Sequence, residues 1–301
     1  MTGVAVPVIV NCRAGSQAAE KMTEQLTAAF HGAGIELDLI IAGEGDDLAE
    51  VAKRVVAGRP AMVVAGGGDG TINAVASAAV GTETVLGVLP LGTLNHFAKD
   101  LGIPLDIGNA VRILREGQTA ALDVGEVDGR VFINNSSLGL YPSLVRRREQ
   151  QQMRLGRGKW TAVFWSALTL LRRYPLLRVH VKVDGADIVC RTPLVFIGNN
   201  AYKMEGLDIG IRERIDGGKL SLYIPRLEGR LGLVRIALRA LFKRLRRADD
   251  FIFVEAEEFT VETHRKHVRV ATDGEVAVMM MPLHYRIRPG VLKVCVPRGA
   301  P

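Results

Sequence analysis

Gly66-Gly67-Gly68-Asp69-Gly70-Thr71 and Pro90-Leu91-Gly92-Thr93-Leu94-Asn95-His96 are the residues of this chain whose types and spacing could do chemistry together. Each turn follows an apolar run, Ala61–Ala65 and Val85–Leu89, and each precedes a stretch able to wind into a helix. Glycine lets the backbone take positive φ and lets N–H groups come close to an anion. A helix N-terminus just beyond adds free N–H groups and a favourable dipole. Two such turns at the ends of neighbouring strands make a phosphate cradle, so the chemistry they predict is nucleotide binding. Thr71 and Thr93 add hydroxyls that can hydrogen-bond phosphate oxygens. One glycine turn alone fits any tight strand-to-helix connection equally well; the second, with its own threonine and asparagine, shifts the balance.

The acids near these turns have plain readings from residue type alone. Asp69 facing phosphates would repel them without a cation between, and it also fits a cap for a helix beginning near Thr71. Asp273-Gly274 is a hairpin-turn pair, which makes Glu275 a solvent-facing strand residue. Asp123, in Leu122-Asp123-Val124-Gly125, fits a polar residue at a strand end. Asp216, in Ile215-Asp216-Gly217-Gly218-Lys219-Leu220, fits a turn. His264 and His267 share a run with Arg265 and Lys266 and have no neighbouring acid or cysteine, so they read as an exposed basic hairpin.

The elements that must position these residues alternate at first. Strands are expected at Val6–Val10, Ile35–Ile41, Ala61–Ala65 and Val85–Leu89. Helices are expected at Ser16–His31, Asp46–Ala57, Ile72–Ala79, around Asn95–Asp100 and at Gly108–Glu116. Such alternation predicts a parallel sheet with helices on both faces. Ligands of open sheets sit at the carboxyl ends of the strands, where both glycine turns fall. From about Ala120 short β-rich runs take over, with Asp184-Gly185 and Asp273-Gly274 as hairpin signals. Helical segments interrupt them at Ser143–Arg173 and Gly229–Arg247. The predicted fold class is α/β plus all-β: an N-terminal doubly wound α/β nucleotide-binding domain over 1–122, then an antiparallel β-sandwich over 123–289.

Composition narrows the partners. The net charge of +7 points to an anion such as a nucleotide, nucleic acid or an acidic membrane surface. Aromatic residues make up only 5%, and no basic segment interleaves with stacking aromatics, which disfavours nucleic acid. Cys12, Cys190 and Cys295 are odd in number and lack C-x-x-C spacing, so neither a disulfide framework nor zinc is expected. They read as reduced thiols of a cytoplasmic protein. Val4–Val10 reads as a first strand rather than a signal peptide. The apolar stretch Trp160–Leu171 falls short of the roughly 20 residues that cross a bilayer. Arg146–Arg173 and Arg235–Arg247 are basic and partly amphipathic. They fit a solvated helix face or a surface for anionic head groups, hence peripheral membrane contact.

Five ordered motifs carry a resemblance that spans nearly the whole chain. They are Asn11-Cys12-Arg13-Ala14-Gly15, the two glycine turns, Phe97–Pro104 with its Leu-Gly-Ile-Pro ending, Asp123, and Asp273-Gly274-Glu275. In these the chain resembles the catalytic domain shared by diacylglycerol kinases, sphingosine kinases and the soluble bacterial lipid kinases. NAD kinases and phosphofructokinases share only the first turn. The resemblance implies transfer of the γ-phosphate from ATP, with Mg²⁺, to a lipid hydroxyl, diacylglycerol being the modal acceptor and phosphatidic acid the product. It implies nucleotide contacts from Asn11, Arg13, Ala14, Gly15, Gly66, Gly67, Gly68, Asp69, Gly70, Thr71, Asn73, Gly92, Thr93, Asn95 and His96. It assigns metal to Asp69, Asp123 and Asp216. It makes Glu275 the base that accepts the hydroxyl proton, with Asp123 joined to it through water and Mg²⁺ and Asp273 in the same catalytic group. It also returns the last strand, within 290–301, to the first domain.

Three positions depart from the family pattern. His96 stands where members often carry an aspartate that contacts nucleotide. Ala74 replaces a glutamate that commonly follows Asn73. Gly217 replaces the second of two adjacent aspartates that bind a structural Mg²⁺ in bacterial relatives. Two rival readings follow: an NAD-kinase-like enzyme, which leaves Pro90–Pro104 unexplained, and a nucleotide-binding regulatory protein without kinase activity. A homodimer is left open by the sequence.

Overall fold

The computed structural model describes residues 5–11, 16–43, 46–139, 176–205, 208–212, 214–226, Gly232 and 250–299. The helices expected over Ser143–Arg173 and, apart from Gly232, Gly229–Arg247 lie outside the described residues, as do Cys12, Arg13, Ala14 and Gly15. The chain divides into two compact units. The first comprises Met1–Val124, Arg214–Gly217 and Arg288–Pro301; the second comprises Gly125–Glu213 and Gly218–Ile287.

In the first unit the chain runs β1 (Val6–Asn11), α1 (Ser16–Gly32), β2 (Leu37–Ala42), α2 (Leu48–Ala57), β3 (Met62–Gly67), α3 (Asp69–Ala79), β4 (Val85–Pro90), α4 (His96–Asp100) and α5 (Ile107–Glu116). β5 (Gln118–Val127) then carries the chain into the second unit. The parallel strands lie in the order β2-β1-β3-β4. Val8, Ile9 and Val10 of β1 and Val63, Val64 and Ala65 of β3 are buried without alternation, as in strands covered on both faces. Right-handed crossovers put α1 and α2 on opposite faces, and the contacts agree: α1 packs with α5, and α2 with α3. The order reverses between β1 and β3, which places the topological switch point where β1 ends at Asn11 and β3 at Gly67, in register Val10↔Gly66.

The second unit is antiparallel. It contains β6 (Arg130–Phe132), β7 (Asn135–Gly139), β8 (Leu177–Val183), β9 (Ala186–Thr192), β10 (Leu194–Asn199), β11 (Tyr202–Glu205), β12 (Asp208–Arg212), β13 (Leu220–Pro225), β14 (Phe251–Ala256), β15 (Glu258–Thr263), β16 (His267–Thr272) and β17 (Glu275–Met280). β18 (Leu283–Val296) gives its first part to this unit and its last part to the first, where Val294 pairs with Leu86 of β4. One sheet has the order β14-β13-β10-β7-β16-β17; the other pairs the start of β18 with β15, β8 and β9. Side chains from both, among them Leu138, Val179, Val181, Ile197, Leu222, Val261, Val270 and Tyr285, form one buried core. β8 shows the pattern plainly, with Leu177, Val179, Val181 and Val183 turned inward at every second position.

Several expectations are corrected in detail. α3 begins at Asp69, because extended Gly68 (φ −86°, ψ −177°) takes the cap position; Asp69 therefore lies in the first turn instead of capping it. The last strand, expected within 290–301, begins at Leu283 and runs to Val296 as one strand, with φ +61° at Gly290. β7 was not expected from Asn135-Ser136-Ser137-Leu138-Gly139, yet it is central in its sheet. Asp184-Gly185 and Asp273-Gly274 both take positive φ at both residues, the conformation that closes a two-residue hairpin.

Candidate functional site

The first unit builds a glycine lattice at the carboxyl ends of β1, β3 and β4. Register sets Gly66 beside Leu89 and Gly67 beside Pro90, so both turns leave the sheet side by side. The Leu91 N–H donates to the Gly67 carbonyl at 3.1 Å. A Cβ on Gly92 would stand 2.4 Å from the Gly68 Cα, and one on Gly67 would stand 2.5 Å from the Thr71 hydroxyl oxygen. Only hydrogen at Gly92 lets the two turns meet backbone to backbone, and only hydrogen at Gly67 leaves room for the Thr71 side chain. At Gly70, by contrast, a Cβ would meet nothing within 4 Å. Among the described residues no side chain caps the N-terminus of α3, whereas Asp47 caps α2 by accepting from Ala49 N–H at 3.0 Å and Asp106 caps α5 by accepting from Asn109 N–H at 2.8 Å.

The polar residues of the turns divide into those that hold the lattice and those left over. Buried Asn95, at φ 51°, accepts from the Gly92 N–H at 3.1 Å and donates to the carbonyls of Gly92 (2.8 Å) and Pro90 (3.2 Å). It is spent within its own turn. Asp69 reaches across to the second turn, accepting from the Phe97 N–H at 3.1 Å. Thr71 is buried against Gly67, Thr93 is exposed, and His96 is half-buried at the first position of α4. The Asn73 Oδ1 is buried on α3 with no hydrogen-bond partner among the described residues. Buried Asp123 accepts from the Gly290 N–H at 3.0 Å, and its own N–H donates to the Ile215 carbonyl at 3.2 Å. Strand β5 thereby brings Asp123 and the Arg214–Gly217 loop together. Asp216 itself pairs with Arg214 at 3.1 Å, and that arginine supplies the counter-charge a cation would otherwise bring. Among the described residues no three His, Cys, Asp or Glu side chains converge as a metal cage.

Asp273 and Glu275 lie in the second unit, on the β16–β17 hairpin. The Asp273 carboxylate accepts three successive backbone N–H groups, from Ile133 (2.7 Å), Asn134 (2.9 Å) and Asn135 (2.9 Å). Burial pushes this carboxyl up to about 6, against the pull of those three donors and of Arg212. The same segment is gripped from its other side. Arg212 and Asn199 donate to the Ile133 carbonyl at 2.7 and 2.9 Å, and the Tyr202 hydroxyl donates to the Asn134 carbonyl at 2.8 Å. The Asp273 carboxylate is thus enclosed although the residue as a whole is half-buried, and the side chain two residues on is exposed. Glu275 is exposed, with Oε2 held by the Arg130 guanidinium at 2.7 Å while the Arg130 Nε donates to Thr272 Oγ1 at 2.8 Å. Arg130 therefore clamps the cross-strand pair Thr272↔Glu275.

Sequence reasoning passed over Arg130, Asn134, Asn199 and Arg212. The adjacent pairs Asn134-Asn135 and Asn199-Asn200, each ending an apolar run, were the available signal. An apolar strand that stops at two amides needs partners for four polar groups.

Two family models match the chain. Residues 5–127 match the model of the diacylglycerol kinase catalytic domain, and residues 137–296 match that of the YegS C-terminal NAD kinase beta sandwich-like domain. A protein of Pseudomonas aeruginosa PAO1 named "Probable lipid kinase YegS-like" is 30% identical over 297 residues, covering 95% of this chain and 93% of its own. Its namesake from Pseudomonas syringae pv. tomato is 28% identical over 293 residues, covering 95% and 92%. The crystal structure of a diacylglycerol kinase from Bacillus anthracis superposes with a TM-score of 0.72 at 19% identity, covering 99% of this chain and 98% of that one; this likeness shows the fold.

Proposed function

From membership in the YegS-like lipid kinase family, to which this chain belongs, we propose that it transfers the γ-phosphoryl group of ATP to the hydroxyl of a membrane lipid. Diacylglycerol is the proposed acceptor and phosphatidic acid the product. The observation that carries the reading is the interlocked pair of glycine turns beside the uncapped N-terminus of α3. Free N–H groups and the helix dipole favour the phosphates there, and the open space at Gly70 lets them approach. The unpartnered Asn73 Oδ1 is left to accept from a ribose hydroxyl or a water.

Asp69 and Asp123 are the carboxylates that would hold Mg²⁺. One or two carboxylates completed by phosphate oxygens is the usual Mg²⁺ arrangement, which fits a chain without an all-protein cage among its described residues. When bound, the ion neutralises charge on the phosphates. Glu275 takes the proton of the acceptor hydroxyl as that oxygen bonds to the γ-phosphorus. The bond from the γ-phosphorus to the bridging oxygen breaks, and ADP leaves. Arg130 fixes Oε2 of Glu275 and leaves Oε1 for the proton.

The test is transfer of labelled γ-phosphate from ATP-Mg²⁺ into a bacterial lipid extract, with NAD and buffer as parallel acceptors. A labelled lipid is the expected product and, once identified, names the acceptor. Labelled NADP in its place would contradict the reading in favour of the NAD-kinase branch. ATP binding without any transfer would contradict it in favour of a regulatory protein.

A further inference from the structure

The outward face of the β16–β17 hairpin departs from what an antiparallel sheet with one buried face presents to water. Such a face is ordinarily polar. Here Val278 is 67% exposed and Met280 60% exposed, with Val276 in line beside them, while Ala277 and Met279 alternate toward the other face of the sheet. β17 is the last strand of its sheet among the described residues. Exposed edge strands of this kind are normally blunted by charge or proline, and this one carries neither between Val276 and Met280.

The charge lies one strand over. Arg269 is paired across from Val278, and His267 across from Met280, on the same face. The turn leading into β16 adds exposed Arg265 and Lys266, and the Lys266 carbonyl accepts from the Met281 N–H at 3.0 Å, which ties that turn to the end of the apolar row. From His264 to Thr272 there is no carboxylate. An apolar column lined on one side by cations is thus displayed on one hairpin.

We propose that this face docks the protein on an anionic lipid surface. Val276, Val278 and Met280 would enter the boundary between head groups and acyl chains, and Arg265, Lys266 and Arg269 would meet lipid phosphates. Charge complementarity selects this occupant over a second copy of the chain. A two-fold contact through one patch sets cation against cation, whereas a bilayer containing phosphatidylglycerol sets cation against anion. The proposal rests on the lipid-kinase reading for the reason a bilayer is met at all, and it assigns that contact to the β16–β17 hairpin and its basic turn in place of Arg146–Arg173 and Arg235–Arg247.

The experiment is sedimentation of the full chain with phosphatidylcholine vesicles prepared with and without phosphatidylglycerol, in the absence of ATP. The wild type should bind the phosphatidylglycerol vesicles and be released by salt. Val278→Asp/Met280→Asp should weaken the partition by about tenfold or more, and Arg269→Glu by about fivefold or more. Val278→Ser/Met280→Ser serves if the aspartates impair folding, as judged from the unfolding midpoint. Unchanged partition in folded variants would overturn the proposal. So would sedimentation velocity showing that the variants lose a dimer while vesicle binding persists. Transfer to a short-chain diacylglycerol in detergent micelles should survive in all variants. Its failure in the wild type would count against the kinase reading and leave the vesicle result standing.

Discussion

Asp69 in the first unit and Asp273 in the second both accept backbone N–H groups from segments far away in the chain, and they differ in what is left over. Asp69 accepts one, from Phe97, and stands on a half-exposed first turn among glycines. Asp273 accepts three, from Ile133 to Asn135, with its carboxylate enclosed. The first is a tie with capacity to spare, and the second is a rivet. The same contrast runs through the two regions. At the ends of β3 and β4 the work is left to bare backbone, because glycine and an uncapped helix keep N–H groups available to an anion. Around Ile133–Asn135 the main-chain groups are taken up by the Asp273, Arg212, Asn199 and Tyr202 side chains and by the backbone N–H groups of Asn199 and Asp273, while Glu275, clamped from one side by Arg130, is exposed.

The comparison can be broken at its outward-facing residue first. Glu275→Gln should lower turnover by about 10² to 10⁴ while the unfolding midpoint and ATP affinity stay near wild type, measured by transfer kinetics and calorimetric titration. Asp273→Ala should act on folding instead. Three N–H groups lose their acceptor, for a cost of about 3 kcal/mol at acid pH, read by denaturant unfolding. The sign with pH follows from burial. A carboxyl raised to about 6 in the folded state contributes stability that is fully present below its ordinary value and lost as pH rises through 6. The difference between wild type and Asp273→Ala should therefore shrink between about pH 4 and pH 7.

Gly92→Ala should come next. Its Cβ has to displace Gly68, a tight backbone contact that overpacking data put at about 1–3 kcal/mol, and ATP affinity should fall with stability. Arg130→Ala should have the smallest effect on folding, under about 1 kcal/mol, because the pair it makes with Glu275 is solvent-exposed. Its turnover should drop by more than its stability suggests, with Arg130→Lys restoring part of the loss.

How much of this was legible in the sequence depends on whether a residue's role is local. The glycine turns, the alternating α/β order and both hairpins could be read, since positive φ and burial periodicity are written in neighbouring residues. The full length of β18 could not, because its two parts pair in different units and Gly290 between them offers its N–H to Asp123, a partner far back in the chain. β7 was missed because its buried serines look like a loop; Ser136 is accommodated by Tyr285, a partner 149 residues away with oxygens 3.1 Å apart. Asp69 reads as a cap until the conformation of Gly68 is known, and its actual acceptor role depends on Phe97. Arg130, Asn134 and Arg212 act through pairings that span from 68 to 145 residues, and no local pattern announces those.

The central claim is that bare backbone at the start of α3 receives phosphate, and Gly70 tests it most directly because a Cβ there would meet nothing within 4 Å. The measurement is calorimetric titration of ATP-Mg²⁺ onto wild type and Gly70→Val, each with its unfolding midpoint. The account predicts that Gly70→Val unfolds within about 0.5 kcal/mol of wild type and binds ATP about tenfold or more weakly, as the side chain takes the space a phosphate hydrogen-bonded to backbone would fill. Equal ATP affinity in a folded Gly70→Val would contradict it.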